Sequence, residues 1–162
     1  MTANTLGKRT GRKAAAEKTE PARFGTLDGM IGFHLRLAQN ASFKAFKRHT
    51  GEAKLRPGWF AMLSLIHENP GITPMALSRA SGRDKSTLTP VLRDLQRLKL
   101  IARETVASDK RSYTLSLTPL GETKFATLAE HAAAHDRELD EIVSDRKDEL
   151  IRLLKRIHSV LD

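Results

Sequence analysis

The chain has 162 residues, 40% of them hydrophobic and 29% charged, with a net charge of +9 and no cysteine. That length and composition fit one soluble globular domain with some spare chain, and the missing cysteines exclude disulfides, thiolate metal sites and thiol nucleophiles. The basic balance favours nucleic acid or an anionic surface as partner, while no apolar run approaches the roughly 18 residues of a spanning helix and no secretory signal opens the chain, so no membrane partner and a cytoplasmic location are expected.

Residues 1–23 are polar, with Lys8, Arg9, Arg12, Lys13, Lys18 and Arg23 against Glu17 and Glu20. With Leu6 as its one large aliphatic side chain, this segment buries too little to offset ordering entropy and reads as a disordered basic arm. It either contacts DNA or merely solubilises the chain. From Phe24 the pattern changes. Leu27, Met30, Ile31, His34, Leu35, Ala38, Ala41, Ala45 and Phe46 recur at helical spacing and predict one long amphipathic helix over about 27–49, ended by Gly51. Pro57 suits the first turn of a second helix carrying Trp59, Phe60, Leu63 and Ile66, which Asn69-Pro70-Gly71 stops.

Thr73-Pro74 pairs a hydroxyl cap with a first-turn proline and opens a short helix, Pro74 to Ala80. Ser81-Gly82-Arg83 is a turn. Asp84 then opens a helix with Leu88, Val91, Leu92, Leu95 and Leu98 on one face. Pro90 falls inside it and, by propensity, bends or opens it. Ile101–Val106 and Ser112–Leu117 read as two strands, with Ala107 to Arg111 as a charged tip. Thr118-Pro119 repeats the cap-plus-proline signal before a long helix with Leu120, Phe125, Leu128, Ala132, His135, Leu139 and Ile142. Ser144 is expected to cap a last helix with Leu150, Leu153, Leu154, Ile157, Val160 and Leu161. The fold class is mainly α with a small β-wing.

Short helix, tight turn and following helix form a helix-turn-helix, whose second helix enters the major groove. Its exposed face offers Lys85, Ser86, Thr87, Thr89, Arg93 and Arg97, with Pro90 among them; Thr73 and Ser78 on the preceding helix join the candidate DNA contacts. Such hydroxyls and guanidinia suit base edges and phosphates. At the ribbon tip Arg111, beside Lys110, suits a narrow minor groove. Asp109 either holds that guanidinium by charge-assisted hydrogen bonds or is an ordinary turn residue.

Residues 56–121 resemble the MarR family of bacterial transcription regulators. The resemblance rests on Thr73-Pro74-Met75-Ala76-Leu77-Ser78-Arg79-Ala80, on Asp84-Lys85-Ser86-Thr87-Leu88-Thr89-Pro90-Val91-Leu92-Arg93-Asp94-Leu95, on Leu98-x-Leu100-Ile101-x-Arg103, on Asp109-x-Arg111 and on Leu117-Thr118-x-x-Gly121. The flanking helices extend it over nearly all of residues 24–162. It implies a winged helix-turn-helix domain with a DNA-binding core over about 56–118 and N- and C-terminal dimerisation helices over about 27–49 and 119–161. It also implies a homodimer on a near-palindromic double-stranded operator, repression as the commoner outcome, Arg111 as the wing residue with Asp109 as its support, and tolerance of a proline in the recognition helix.

Family resemblance further implies a small-molecule effector, a phenolic acid or an aromatic acyl-coenzyme A. Met30, Phe33, His34, Leu37, Trp59, Phe60 and Leu63 are the candidate lining, with Arg36 and Lys44 for a carboxylate or phosphates. The competing reading is that aromatics at helical spacing form core and surface charges only solvate a face. No cofactor or catalytic group is expected. His131 and His135 share a helical face, but Ala132 stands where a zinc protease needs Glu and no third ligand is evident, so no metal is expected either. A non-specific, nucleoid-associated DNA-coating protein is the alternative function.

Overall fold

A computed structural model of the protein describes residues 22–50, 56–106 and 109–161. Residues 1–21 of the expected basic arm, and Gly51, lie outside them, as do the side chains of residues 57, 106 and 109–111. Among the described residues, six α-helices and a two-stranded ribbon follow in order: α1 (Ile31–Thr50), α2 (Pro57–Glu68), α3 (Pro74–Ser81), α4 (Lys85–Arg97), β1 (Ile101–Val106), β2 (Asp109–Leu117), α5 (Pro119–Val143) and α6 (Lys147–Leu161). No helix among the described residues is long and apolar enough to cross a membrane. The chain divides into two units, Met1–Arg36 and Leu37–Asp162, with the boundary inside α1.

In the first unit the expected single helix is broken. A 3-10 turn spans Gly25–Gly29, and Met30 is extended before α1 begins. Gly25 holds φ +56, a left-handed conformation that glycine adopts without a side-chain penalty. The turn is fastened by His34 Nε2, 2.7 Å from the Asp28 carbonyl, and by the edge-on contact of Phe24 with Phe33.

The second unit holds the core. Met62, Leu63 and Ile66 of α2, Leu77 of α3, Leu88 and Leu95 of α4, Leu115 of β2 and Leu128 of α5 are almost wholly buried. Local chemistry fixes the joints between them. Thr73 caps α3, its hydroxyl accepting from the Ala76 N–H. Gly82 ends α3 in the left-handed conformation. At the end of α4 the Leu100 N–H donates to the Leu95 carbonyl and the Lys99 N–H to that of Gln96. Lys99 is left-handed there, at φ 56, and this paired pattern satisfies carbonyls the helix would otherwise leave orphaned. Thr118 caps α5 by accepting from the Gly121 N–H at 3.0 Å.

β1 and β2 pair antiparallel with Ile101 opposite Leu117 and Thr105 opposite Tyr113. An irregularity follows, and Val106 pairs with Asp109. The ribbon is therefore longer than the sequence indicated. Asp109, Lys110 and Arg111 belong to the start of β2, not to a free tip: Asp109 pairs with Val106, and the next two residues fall in the bulged stretch before Tyr113. An isolated bridge between Ile72 and Leu115 adds a third extended segment at the base of the ribbon. Ser144 also departs from expectation. It ends α5 with φ 52 and ψ −129 and starts a 3-10 turn, Ser144–Arg146, before α6. Lys147 clamps this corner, its ammonium 2.7 Å from Asp140 and 3.0 Å from Asp136. These hydrogen bonds, that of Asp140 foremost, raise the lysine pKa above its usual 10.5.

Candidate nucleic-acid interface and apolar cavity

α3, the Gly82 turn and α4 build a helix-turn-helix. α4 runs unbroken through Pro90, which is exposed on it. The apolar side of α4 buries Leu88, Leu92 and Leu95, which leaves Lys85, Ser86, Thr87, Thr89, Arg93 and Arg97 exposed, as the periodicity requires. Two hydroxyls of this face turn back on their own helix. Thr87 Oγ1 donates to the Asp84 carbonyl and Thr89 Oγ1 to that of Lys85. Each oxygen keeps lone pairs free to accept. Ser78 is half-buried and its hydroxyl donates to the Arg83 carbonyl, so its proton serves the turn. Arg97 lies 3.4 Å from Asp94, which Arg56 also reaches at 3.1 Å.

Thr73, Ser78, Lys85 and Thr89 meet at one cleft of about 420 Å³, whose other wall is Ser112 and Tyr113 of the ribbon. The sequence reading passed over Tyr113 as a site residue. Its ring stacks under the Arg103 guanidinium, 3.6 Å from ring centre to carbon, a contact that stiffens the ribbon beside α4. The backbone of Asp109, Lys110 and Arg111 opens β2; their side chains lie outside the described residues.

The effector candidates fall in both units. In the first unit Met30 is exposed, His34 is bound to the Asp28 carbonyl, and Phe33 carries the Arg36 guanidinium 5.6 Å above its ring. In the second unit Leu37 and Lys44 are exposed on α1, while Trp59 and Leu63 are core residues at 5% and 0% exposure. Trp59 and Leu63 both belong to the core cluster, and α2, which carries them, is apolar on nearly every side. Trp59 Nε1 is nevertheless buried with no hydrogen-bond partner among the described residues.

Of these candidates, Phe60 lines a cavity. This space of about 530 Å³ lies between α1, α2 and α5. Phe43, Phe46 and Phe60 supply its rings, and Ala129, Ala132 and Ala133 leave the room. Phe60 stacks nearly parallel on Phe125 and Phe46 lies 5.7 Å from the His135 ring. Its polar groups are Ser42, His135 and Asp136. His135 is 8% exposed, with Nε2 2.9 Å from Ser42 Oγ. An aromatic wall with a few convergent polar groups suits a small aromatic ligand. Sequence reasoning missed Ser42, Phe43, Phe46 and His135 as lining. The small-residue run Ala132-Ala133-Ala134 beside His135 was the available signal.

α6 is amphipathic and 15 residues long, yet none of its residues is buried. Leu150, Ile151, Leu153, Leu154, Val160 and Leu161 are all exposed.

A profile of the MarR family matches residues 54–112. The chain is 35% identical over 155 residues to a protein of Thauera aromatica described as a transcriptional regulatory protein for the hcr operon, covering 94% of this chain and 93% of that one. It is 30% identical over 116 residues to the transcriptional regulator HosA of Escherichia coli, covering 68% and 86%. Among solved structures it resembles the transcriptional repressor CouR bound to a 23-mer DNA duplex, with 28% identity, a TM-score of 0.78 and coverage of 85% of this chain and 99% of CouR. CouR bound to p-coumaroyl-CoA matches with 25% identity, a TM-score of 0.77 and coverage of 85% and 98%. These relatives are regulators, not enzymes.

Proposed function

The chain belongs to the MarR family of transcriptional regulators, and from that premise we propose that it is a homodimeric repressor released from a near-palindromic operator by a small aromatic acid or its coenzyme A thioester. The observation that carries this reading is the aromatic cavity of about 530 Å³ between α1, α2 and α5. α2 forms one wall of it and packs against α3, the first helix of the DNA-reading unit. A ligand that prefers a shifted α2 thereby prefers a dimer whose recognition helices are wrongly spaced. A tenfold loss of operator affinity needs only about 1.4 kcal/mol of such coupling.

In the proposed complex α4 reads the major groove through Lys85, Ser86, Thr89 and Arg93, and Arg111 enters the minor groove. The apolar face of α6 supports the dimer, since a helix that buries nothing within its own chain needs a second surface. The chemistry of the effector is supported by the phenylalanine walls, and by CouR having been solved with an aromatic acyl-coenzyme A. Exposed Lys44, Lys47 and Arg48 on α1 suit coenzyme A phosphates. Such a repressor works in the cytoplasm, on the nucleoid.

Trp59, the one tryptophan, neighbours Phe60 and reports the cavity by fluorescence. Titration with phenolic acids and their coenzyme A thioesters is expected to change that fluorescence saturably for one chemical class, and the same compound is expected to release DNA. A panel with no saturable binder contradicts the effector assignment.

A further inference from the structure

We propose that His49, His135 and Glu138 form a binding site for a divalent transition cation of the zinc class. His49 stands in the last turn of α1, and His135 and Glu138, 86 and 89 positions later, in the C-terminal half of α5. One potential ligand atom from each lies within 4.8 Å of the others. His49 Nε2 is 2.9 Å from Glu138 Oε1, and His135 Nδ1 is 4.0 Å from Glu138 Oε2. Zinc holds nitrogen and oxygen ligands at about 2.0–2.2 Å, so tetrahedral ligand atoms stand roughly 3.3–3.5 Å apart. The two histidine–carboxylate separations bracket that spacing, and side-chain rotation would bring the three ligand atoms, all within 4.8 Å of one another, into one set.

A second observation points to a ligand there. His135 is more than nine-tenths buried, and its Nδ1 has no hydrogen-bond partner among the described residues. The 4.0 Å gap to Glu138 is beyond hydrogen-bond reach. Either tautomer leaves this buried nitrogen unsatisfied, which is costly. With its proton on Nε2, the imidazole donates to Ser42 Oγ at 2.9 Å and aims the Nδ1 lone pair at Glu138. A ligating histidine is commonly oriented by just such a bond from its second nitrogen. Two imidazoles and one carboxylate suit zinc, cobalt or nickel better than calcium or magnesium. Three protein ligands leave one position for water or an anion. His131, the helical neighbour of His135, takes no part. The other histidine–carboxylate pair, His67 with Glu122 at 2.8 Å, provides only two ligands.

Tag-free, chelator-stripped full-length protein titrated with Co²⁺ tests this through the visible d–d absorption of a low-coordinate site. One Co²⁺ per chain is expected, displaced by Zn²⁺, with Zn²⁺ also raising the melting temperature. Glu138→Gln and His49→Gln remove ligands that are 49% and 26% exposed, so both variants keep the fold, checked by circular dichroism. Each is expected to weaken Co²⁺ binding at least about tenfold, while His67→Gln leaves it unchanged. Absence of the absorption bands in the wild-type protein overturns the proposal. So does a titration that Glu138→Gln and His49→Gln leave unaltered.

Discussion

Adding one methyl group at Gly121 is expected to damage both stability and DNA binding. A Cβ built there overlaps the Leu100 carbonyl oxygen and lies 2.9 Å from the carbonyl carbon. Both are backbone atoms and cannot rotate away. The start of α5 and the end of the α4–β1 connection must part by at least about 1 Å to restore van der Waals contact. Hydrogen bonds lock the same joint: Thr118 Oγ1 donates to the Lys99 carbonyl at 2.6 Å, the Thr118 N–H donates to the Leu100 carbonyl at 3.0 Å, and the Gly121 N–H returns to Thr118 Oγ1. Overpacking costs about 1–3 kcal/mol, and a disturbed threonine cap about 1 kcal/mol more. Gly121→Ala is therefore expected to lose about 3 kcal/mol in urea unfolding, compared at equal protein concentration because the proposed dimer would be linked to folding. Leu100 leads directly into β1, so the displacement reaches the wing and operator affinity falls as well. A loss below about 0.5 kcal/mol, the range of ordinary surface changes, refutes the close-approach argument.

Other perturbations separate the parts of the account. Arg111→Ala is expected to weaken operator binding by about tenfold or more with an unchanged melting temperature, since a groove-inserted guanidinium contributes on the order of 1–3 kcal/mol; unaltered anisotropy titrations would remove Arg111 from the interface. Ala133→Leu projects a larger side chain into the cavity and is expected to abolish effector-induced fluorescence change while sparing operator binding in the absence of effector. Deleting residues 1–22 is expected to weaken binding to all DNA sequences and flatten the salt dependence; a changed sequence preference would instead make the arm a base reader. Lys147→Met tests the corner between α5 and α6. The folded pKa is raised above 10.5, so the lysine's contribution is complete below that pH and is lost as pH rises through the raised value. The variant is expected to melt below wild type at about pH 9, with the difference narrowing at strongly alkaline pH; a constant difference would mean the effect is not ionic.

The helix-turn-helix was legible because its signals are local. Thr73-Pro74, Gly82 and Thr118-Pro119 state their caps within three or four residues, and the structure shows those hydrogen bonds. The apolar stripe Leu88, Leu92, Leu95 likewise told which face of α4 remains outside. Positions set by tertiary contact were hidden. Trp59 and Leu63 lie in the core, and nothing in a helix as apolar as α2 says which side meets α5 or α3. The cavity joins Ser42 to His135 across 93 residues, a pairing that periodicity cannot express. The breaks at Met30 and Ser144 come from backbone conformations that residue type does not announce, and the bulge after Thr105 moved Asp109 to Arg111 into β2.

The central claim is that this chain reads a specific operator and that an aromatic ligand releases it. The most direct measurement is the affinity of the full-length protein for the DNA upstream of its own gene against random DNA, at about physiological ionic strength, with and without the bound member of the phenolic panel. The account predicts protection of one near-palindromic site, with half-sites about one helical turn apart, and at least tenfold weaker binding once the ligand is present. Equal affinity for both DNAs, unmoved by any ligand, would contradict it and favour a DNA-coating protein.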